Sequence, residues 1–190
     1  EVNIYFTSPV IRDSDEDGAP DGLEVLAGVS PEGVLLLNPT LIDSDGDGIS
    51  DGAEPGGALS DTDGDGYPNG ADRDSDDDGL DDNVELEAGT DPLVNDSDHD
   101  LIPDGVEVAW GLDPLDAEDA GLDPDEDGLT NSQEHHRKTD HLDPDTDDDG
   151  IGDSVEIQAG LNPVDREDAF FDFDGDGIVN IDEACPTTDV

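Results

Sequence analysis

Residues 13–24 read D-S-D-E-D-G-A-P-D-G-L-E, a stretch that crowds carboxylates around two glycines in a chain whose formal net charge is already −52. Like charges this close repel, and nothing in the stretch can bury them. The same twelve-residue frame returns at Asp43, Asp61, Asp74, Asp96, Asp123, Asp145 and Asp172. Positions 1, 3 and 5 are Asp throughout, position 9 is Asp or Asn, and position 12 is Glu except at Asp72. Position 6 is Gly everywhere except in D-S-D-H-D-L-I-P-D-G-V-E, where Leu101 stands.

Oxygen binding of a hard cation accounts for this spacing. A calcium ion takes six to eight oxygens at roughly 2.3–2.6 Å, and a twelve-residue loop supplies them from positions 1, 3 and 5, the carbonyl of 7, position 9 and a bidentate Glu at 12, with Gly at 6 for the sharp turn. The frame therefore assigns Asp13, Asp15, Asp17, Ala19, Asp21 and Glu24 to the first ion, and Asp43, Asp45, Asp47, Ile49, Asp51 and Glu54 to the second. Asp61, Asp63, Asp65, Tyr67, Asn69 and Asp72 form the third set, and Asp74, Asp76, Asp78, Leu80, Asp82 and Glu85 the fourth. The fifth is Asp96, Asp98, Asp100, Ile102, Asp104 and Glu107; the sixth is Asp123, Asp125, Asp127, Leu129, Asn131 and Glu134. Asp145, Asp147, Asp149, Ile151, Asp153 and Glu156 make the seventh, and Asp172, Asp174, Asp176, Ile178, Asn180 and Glu183 the eighth. A merely solvated acidic face has no reason to keep position 6 small and position 12 Glu, and magnesium prefers stricter octahedral geometry with retained waters. At least eight calcium ions are expected.

Composition supports a fold held by cations rather than by a core. Against 57 Asp and Glu stand 5 Lys and Arg, with 31% hydrophobic and 4% aromatic residues. Such a chain cannot bury enough apolar surface to offset about 1–2 kcal/mol of backbone entropy per residue. Without calcium it is expected to be unfolded or expanded. The charge excludes nucleic acid and anionic membrane as partners, and no apolar run approaches the ~18 residues of a membrane span. Cys185 is the single cysteine, so neither a disulfide framework nor a Cys/His zinc pattern can be assembled. The chain opens at Glu1 rather than Met, as expected of a processed form or an excised segment.

From Asp74 the loop starts lie 22, 27, 22 and 27 residues apart, a 49-residue period with copies at 74–122 and 123–171 and a partial one at 172–190. Residues 13–73 form a first loop array with a long apolar insertion at 25–42, and residues 1–12 a strand-like segment alternating Val2, Ile4 and Phe6 with polar positions. After each loop's Glu come pieces such as V-E-L-E-A-G-T-D-P, V-E-V-A-W-G-L-D-P and V-E-I-Q-A-G-L-N-P, predicted as one or two helical turns from position 9, stopped by Gly89, Gly111 or Gly160. Trp110 and the pair Phe170 and Phe171 are expected to pack between repeats, and Glu134 to Lys138 with His141 to form a solvated turn.

The run G-T-D-P-x3-D-S-D-x-D-x3-D-x2-E at residues 89–107 resembles the bacterial form of the thrombospondin type 3 repeat, and the resemblance extends over about residues 13–185. It implies a mostly irregular, calcium-stabilised tandem-repeat rod with short helical turns, here with a small β element at the N-terminus. It also implies that carboxylates flanking the loops are shared ligands. Asp72, Asp91, Asp113, Asp119, Asp143 and Asp168 are candidates, Asp91 and Asp113 being equally readable as turn caps.

No nucleophile arrangement is present, and carboxylates that hold calcium are poor general acids and bases, so neither enzymatic activity nor a small-molecule substrate is expected. Calcium near millimolar, as outside cells, would fill even weak sites, which places the chain in an extracellular or cell-surface setting. The head carries the apolar N-terminal segment and the tail stops inside a repeat, so head-to-tail self-association into a fibre or filament is the leading expectation. A rigid spacer of a larger adhesin or secreted enzyme, or a dockerin-like binding module, are the alternatives.

Overall fold

In a computed structural model of the chain, residues 12–30, 33–173 and 175–184 are described. The strand-like segment up to Ile11, Asp174, Cys185 and the tail to Val190 lie outside them. The ordered elements are six short α-helices joined by irregular loops: α1 (Asp21–Glu24), α2 (Asp82–Ala88), α3 (Asp104–Trp110), α4 (Asn131–Arg137), α5 (Asp153–Ala159) and α6 (Asn180–Ala184). Single 3₁₀ turns stand at Val25–Ala27, Asp51–Ala53, Asn69–Ala71, Asp119–Gly121 and Asp168–Phe170.

Every helix starts at position 9 of a loop, as the pattern predicts. The cause is a closing bond common to all eight loops: the N–H of position 9 donates to the carbonyl of the residue just before position 1, from Asp21 to Arg12 (2.9 Å) through Asn180 to Phe171 (2.8 Å). That bond fixes the first helical residue. The helices stop where predicted, with Gly89, Gly111 and Gly160 in the left-handed region at φ 93°, 79° and 82°. Lys138 ends α4 at φ 66°. After Glu54 the sequence P-G-G forbids continuation, so that loop carries only a 3₁₀ turn.

Two positions in each loop adopt positive φ. Position 6 lies near 100°, from 99° at Gly150 and Gly177 to 106° at Gly48, a region that excludes most side chains. Leu101 reaches 84° there, against the steric preference of an L-residue. Position 4 also turns left-handed, at 58° to 69° in Glu16, Asp77, His99, Glu126 and Asp148.

Among the described residues no sheet forms. The apolar insertion makes one antiparallel bridge, Val29 with Leu35, with Ser30 N–H donating to Val34 (2.7 Å) and Leu36 N–H to Gly28 (3.1 Å). Leu37 is fully buried, and so is Ile102; Ile151 is 1% exposed. The rest of what is buried is mostly carboxylate, an inversion of the usual core. Phe170 and Phe171 are exposed (59% and 56%), contrary to expectation, because each follows or ends the 3₁₀ turn facing solvent; Trp110 is half-buried. Residues Glu134 to Arg137 are helical rather than a turn, and His141 is buried.

The chain divides into two compact units. One takes in the described residues up to Asp98 together with Pro103–Leu115; the other comprises His99–Ile102 and the described residues from Asp116. Within each unit, successive loops stack. In the first, Gly52 lies so close to Asp17 and Gly18 that a Cβ would sit 2.6 Å from the Asp17 carbonyl oxygen, and at Gly105 a Cβ would sit 2.3 Å from that of Asp78. In the second, Ser154 N–H and Oγ donate to Asp127 Oδ2 (3.1 Å) and its carbonyl (2.7 Å), and Ser132 Oγ donates to the Asp100 carbonyl (3.4 Å). Position 10 of one loop therefore seats on position 5 or 6 of another, and it is Gly or Ser in these four contacts.

Candidate metal centres

The loop backbone is organised by its own carboxylates. At all eight loops the N–H of position 7 donates to Oδ1 of the position-5 Asp, at 2.6 Å from Ala19 to Asp17 and 2.9 Å from Ile178 to Asp176. Position 1 accepts backbone N–H groups further on: Asp13 takes Glu16 and Gly18, and Asp145 takes Asp149 and Gly150. Both oxygens of Asp15 and Oδ2 of Asp17, Asp47 and Asp149 are left buried without a hydrogen-bond partner. Carboxylate oxygens of Asp13, Asp15 and Asp17 come within 4.8 Å of one another, as do those of Asp43, Asp45 and Asp47, of Asp61, Asp63 and Asp65, and of Asp74, Asp76 and Asp78.

Position 12 is the buried end of the site in six of the loops. Glu24, Glu85, Glu134 and Glu156 are fully buried, as is Glu107, and Glu54 is 7% exposed. Both carboxylate oxygens of Glu24, Glu54, Glu134 and Glu156 are buried without a hydrogen-bond partner, as are both of Asp15 and of Asp76. Buried polar groups are almost always satisfied, and a buried charge is strongly unfavourable without a counter-charge. Convergent acidic oxygens with no donor fit a hard cation, and calcium's oxygen preference suits this donor set.

Electrostatics carry the same signature. Burial first, then repulsion from neighbouring carboxylates, pushes Glu24, Glu134 and Glu156 up to about 8 and Glu54 and Glu85 up to about 9. Burial raises Asp45 and Asp76 to about 7. A bound cation would offset both by favouring the charged carboxylates.

Position 9 has a role that the twelve-residue frame does not show. Its carboxylate is held by position 2 of its own loop: Ser14 N–H and Oγ donate to the two oxygens of Asp21 (2.7 and 2.9 Å), and Ser44 does the same to Asp51 (2.7 and 2.6 Å). Ser75 with Asp82 and Thr146 with Asp153 repeat the clamp. So oriented, Asp51 meets Asp17 and Glu24, with oxygens within 4.8 Å of one another. Asp82 likewise adds to the repulsion on Glu54, Asp104 to that on Asp78, and Asp153 to that on Glu134. The position-9 Asp thus stands against the loop stacked before it. The hydroxyl at position 2 and the small residue at position 10 were the sequence signals for this.

The third loop is different. Asp61, Asp63 and Asp65 are exposed, and Asn69 is tied to Thr62 and, through Nδ2, to the Pro55 carbonyl (2.9 Å). Its Gly70 faces Leu37 and Ala58 rather than another loop. Asp72, half-buried, is pushed to about 6, by burial before its acidic neighbours. In the eighth loop Asp172 and Asp176 hold the backbone while Glu183 is exposed, and Asp174 lies outside the described residues.

A family model described as the bacterial TSP3 repeat matches residues 13–28, 43–54, 61–71, 74–95 and 145–165. No curated protein matches the chain.

Proposed function

We propose that this chain, which carries bacterial TSP3 repeats, is a calcium-held structural array of the extracellular space or cell surface. The TSP3 repeat is a structural, non-catalytic module, and the chain is a calcium-binding tandem-repeat protein rather than an enzyme. The observation that carries the calcium assignment is the set of buried, donorless carboxylate oxygens on Glu24, Glu54, Glu134 and Glu156. Each calcium ion replaces the core that composition denies the chain, drawing together carboxylates that otherwise repel. Positions 1, 3, 5 and 12 hold the ion of their own loop, with the carbonyl of position 7. The position-9 Asp closes the site of the loop before it in the stack. Among the described residues no helix is long and apolar enough to cross a membrane.

Head-to-tail self-association is the finer reading. Its support is an apolar surface at the end of the second unit, where Phe170, Phe171 and Phe173 are exposed and a groove of about 360 Å³ is lined by Val155, Ala159, Leu161 and Phe173. Exposed patches of this kind commonly mark protein contacts. The test is light scattering with negative-stain imaging in millimolar calcium and after chelation. Fibres that dissolve on chelation support assembly, whereas a monodisperse calcium-bound chain would restrict the role to that of a spacer. Unchanged circular dichroism on chelation would overturn the calcium reading itself.

A further inference from the structure

The position-9 Asp cannot serve the seventh loop, because the loop stacked on it carries Asn180. Loop 8 seats on loop 7 in the usual way, with the Ile181 Cδ1 3.3 Å from where a Cβ on Gly150 would stand. Asn180, however, turns its amide away from a cation role. Its Nδ2 donates to the Asp168 carbonyl (2.6 Å), and its Oδ1 accepts the Phe173 N–H (3.4 Å). Position 2 of that loop is correspondingly Phe173, with no hydroxyl to clamp a carboxylate.

The residue that the Asn180 amide holds by its carbonyl is itself a carboxylate from outside any loop. Asp168, at the start of the 3₁₀ turn Asp168–Phe170, is 9% exposed. Its Oδ2 accepts the Asn162 N–H (2.8 Å), while its Oδ1 is buried with no hydrogen-bond partner. Asp168 also adds to the repulsion that Asp149 and Glu156 experience, and Arg166 partly offsets it at Asp149. Both oxygens of Glu156 and Oδ2 of Asp149 are buried without donors as well. The Asn180 amide, holding the Asp168 carbonyl, positions the turn that presents this side chain.

We infer that Asp168 is a ligand of the seventh loop's calcium site, closing it with Asp147, Asp149 and Glu156 in place of the position-9 Asp that Asn180 lacks. This rests on the calcium reading proposed above. The 49-residue register puts Asp119 and Asn131 in corresponding places, and Asn131 Nδ2 donates to the Asp119 carbonyl (2.9 Å) in the same way. The array thus contains two kinds of closing carboxylate, one from the next loop and one from the turn before it.

The experiment is a residue-resolved amide NMR titration of the full chain with calcium, comparing wild type, Asp168→Asn and the double variant Asp168→Asn, Asn180→Asp. Ile151 reports the seventh loop and Leu129 the sixth. Since affinity in such loops follows the number of charged ligands, Asp168→Asn is expected to raise the seventh loop's midpoint by roughly tenfold or more. The sixth loop's midpoint stays put, and the double variant recovers most of the loss by supplying the missing position-9 carboxylate. An unchanged seventh-loop midpoint in Asp168→Asn, or an equal shift in both loops, overturns the inference while leaving the calcium reading intact. Wild-type loops that do not respond to calcium overturn both.

Discussion

The third and fourth loops lie side by side in sequence and share one frame, yet they bury their carboxylates in opposite ways. In the fourth, both oxygens of Asp76 are buried without donors and Glu85 is fully buried; in the third, Asp61, Asp63 and Asp65 are exposed and Asp72 only half-buried. The difference lies in what each loop stacks upon. Asp82 of the fourth loop stands against Glu54 of the second, and Asn83 approaches Gly48. The third is bypassed and packs Gly70 on Leu37 of the apolar insertion and on Ala58, between the second and third loops. A calcium-loop motif therefore specifies the local turn, while a neighbouring loop is what buries the ligands.

The largest separation between the two is expected on calcium removal. Hydrogen exchange should show amide protection in residues 74–88 falling by roughly 100-fold or more, since an ion at 100 times its dissociation constant contributes about 2.7 kcal/mol. The contact of Leu37 with Gly70 should persist longest. Equal loss in both regions would erase the distinction.

Dependence on pH sharpens it next. Without calcium, Glu54 and Glu85 have folded-state values of about 9 against an ordinary 4.5. A raised folded pKa gives stability that is full below about pH 4.5 and is lost as pH climbs toward 9. The calcium-free fourth loop should thus melt progressively over that window. The third loop should respond over a narrower and lower window, because Asp72 rises only to about 6. With calcium the sign reverses, because the ion needs deprotonated ligands. Thermal melts in metal-free and calcium-containing buffers read both slopes, and parallel slopes would contradict the assignment.

Single substitutions come third. Glu85→Gln should weaken calcium binding at its loop by roughly tenfold or more, and Asp72→Asn by a few-fold only, as measured by calorimetric titration. The stacking contact is read in stability rather than affinity. Gly105→Ala forces a Cβ to 2.3 Å from the Asp78 carbonyl oxygen and should cost about 1–3 kcal/mol of calcium-bound stability. Gly22→Ala, at the same loop position but with open space around it, should cost less than about 1 kcal/mol.

These contrasts also mark what was legible in the sequence. The frame of twelve, the glycine at position 6, the helix starts at position 9 and the stops at Gly89, Gly111 and Gly160 are local properties, set by backbone sterics and bonds within about ten residues. Which loop stacks on which is not local: Asp51 meets Glu24 across the apolar insertion, and Asp82 reaches Glu54 past an entire loop. The small residues at position 10, from Gly52 and Gly105 to Ser132 and Ser154, were a readable trace of that stacking. Asn83 and Ile181 blur it. The Ser14 and Ser44 clamps on Asp21 and Asp51 are local bonds spanning seven residues, but the contact they set up between Asp51 and the first loop is not. Phe170 and Phe171 misled for a similar reason, since hydrophobicity alone does not say whether a junction has a neighbour to cover it.

The central claim is that a loop's site is completed by the position-9 Asp of the loop stacked on it. The most direct test is a calcium titration of Asp51→Asn followed amide by amide. The account predicts that Ala19 and Glu24, in the first loop, lose affinity by roughly tenfold, more than Ile49 in the loop that carries the substitution. A loss confined to the second loop, with the first unchanged, would contradict it.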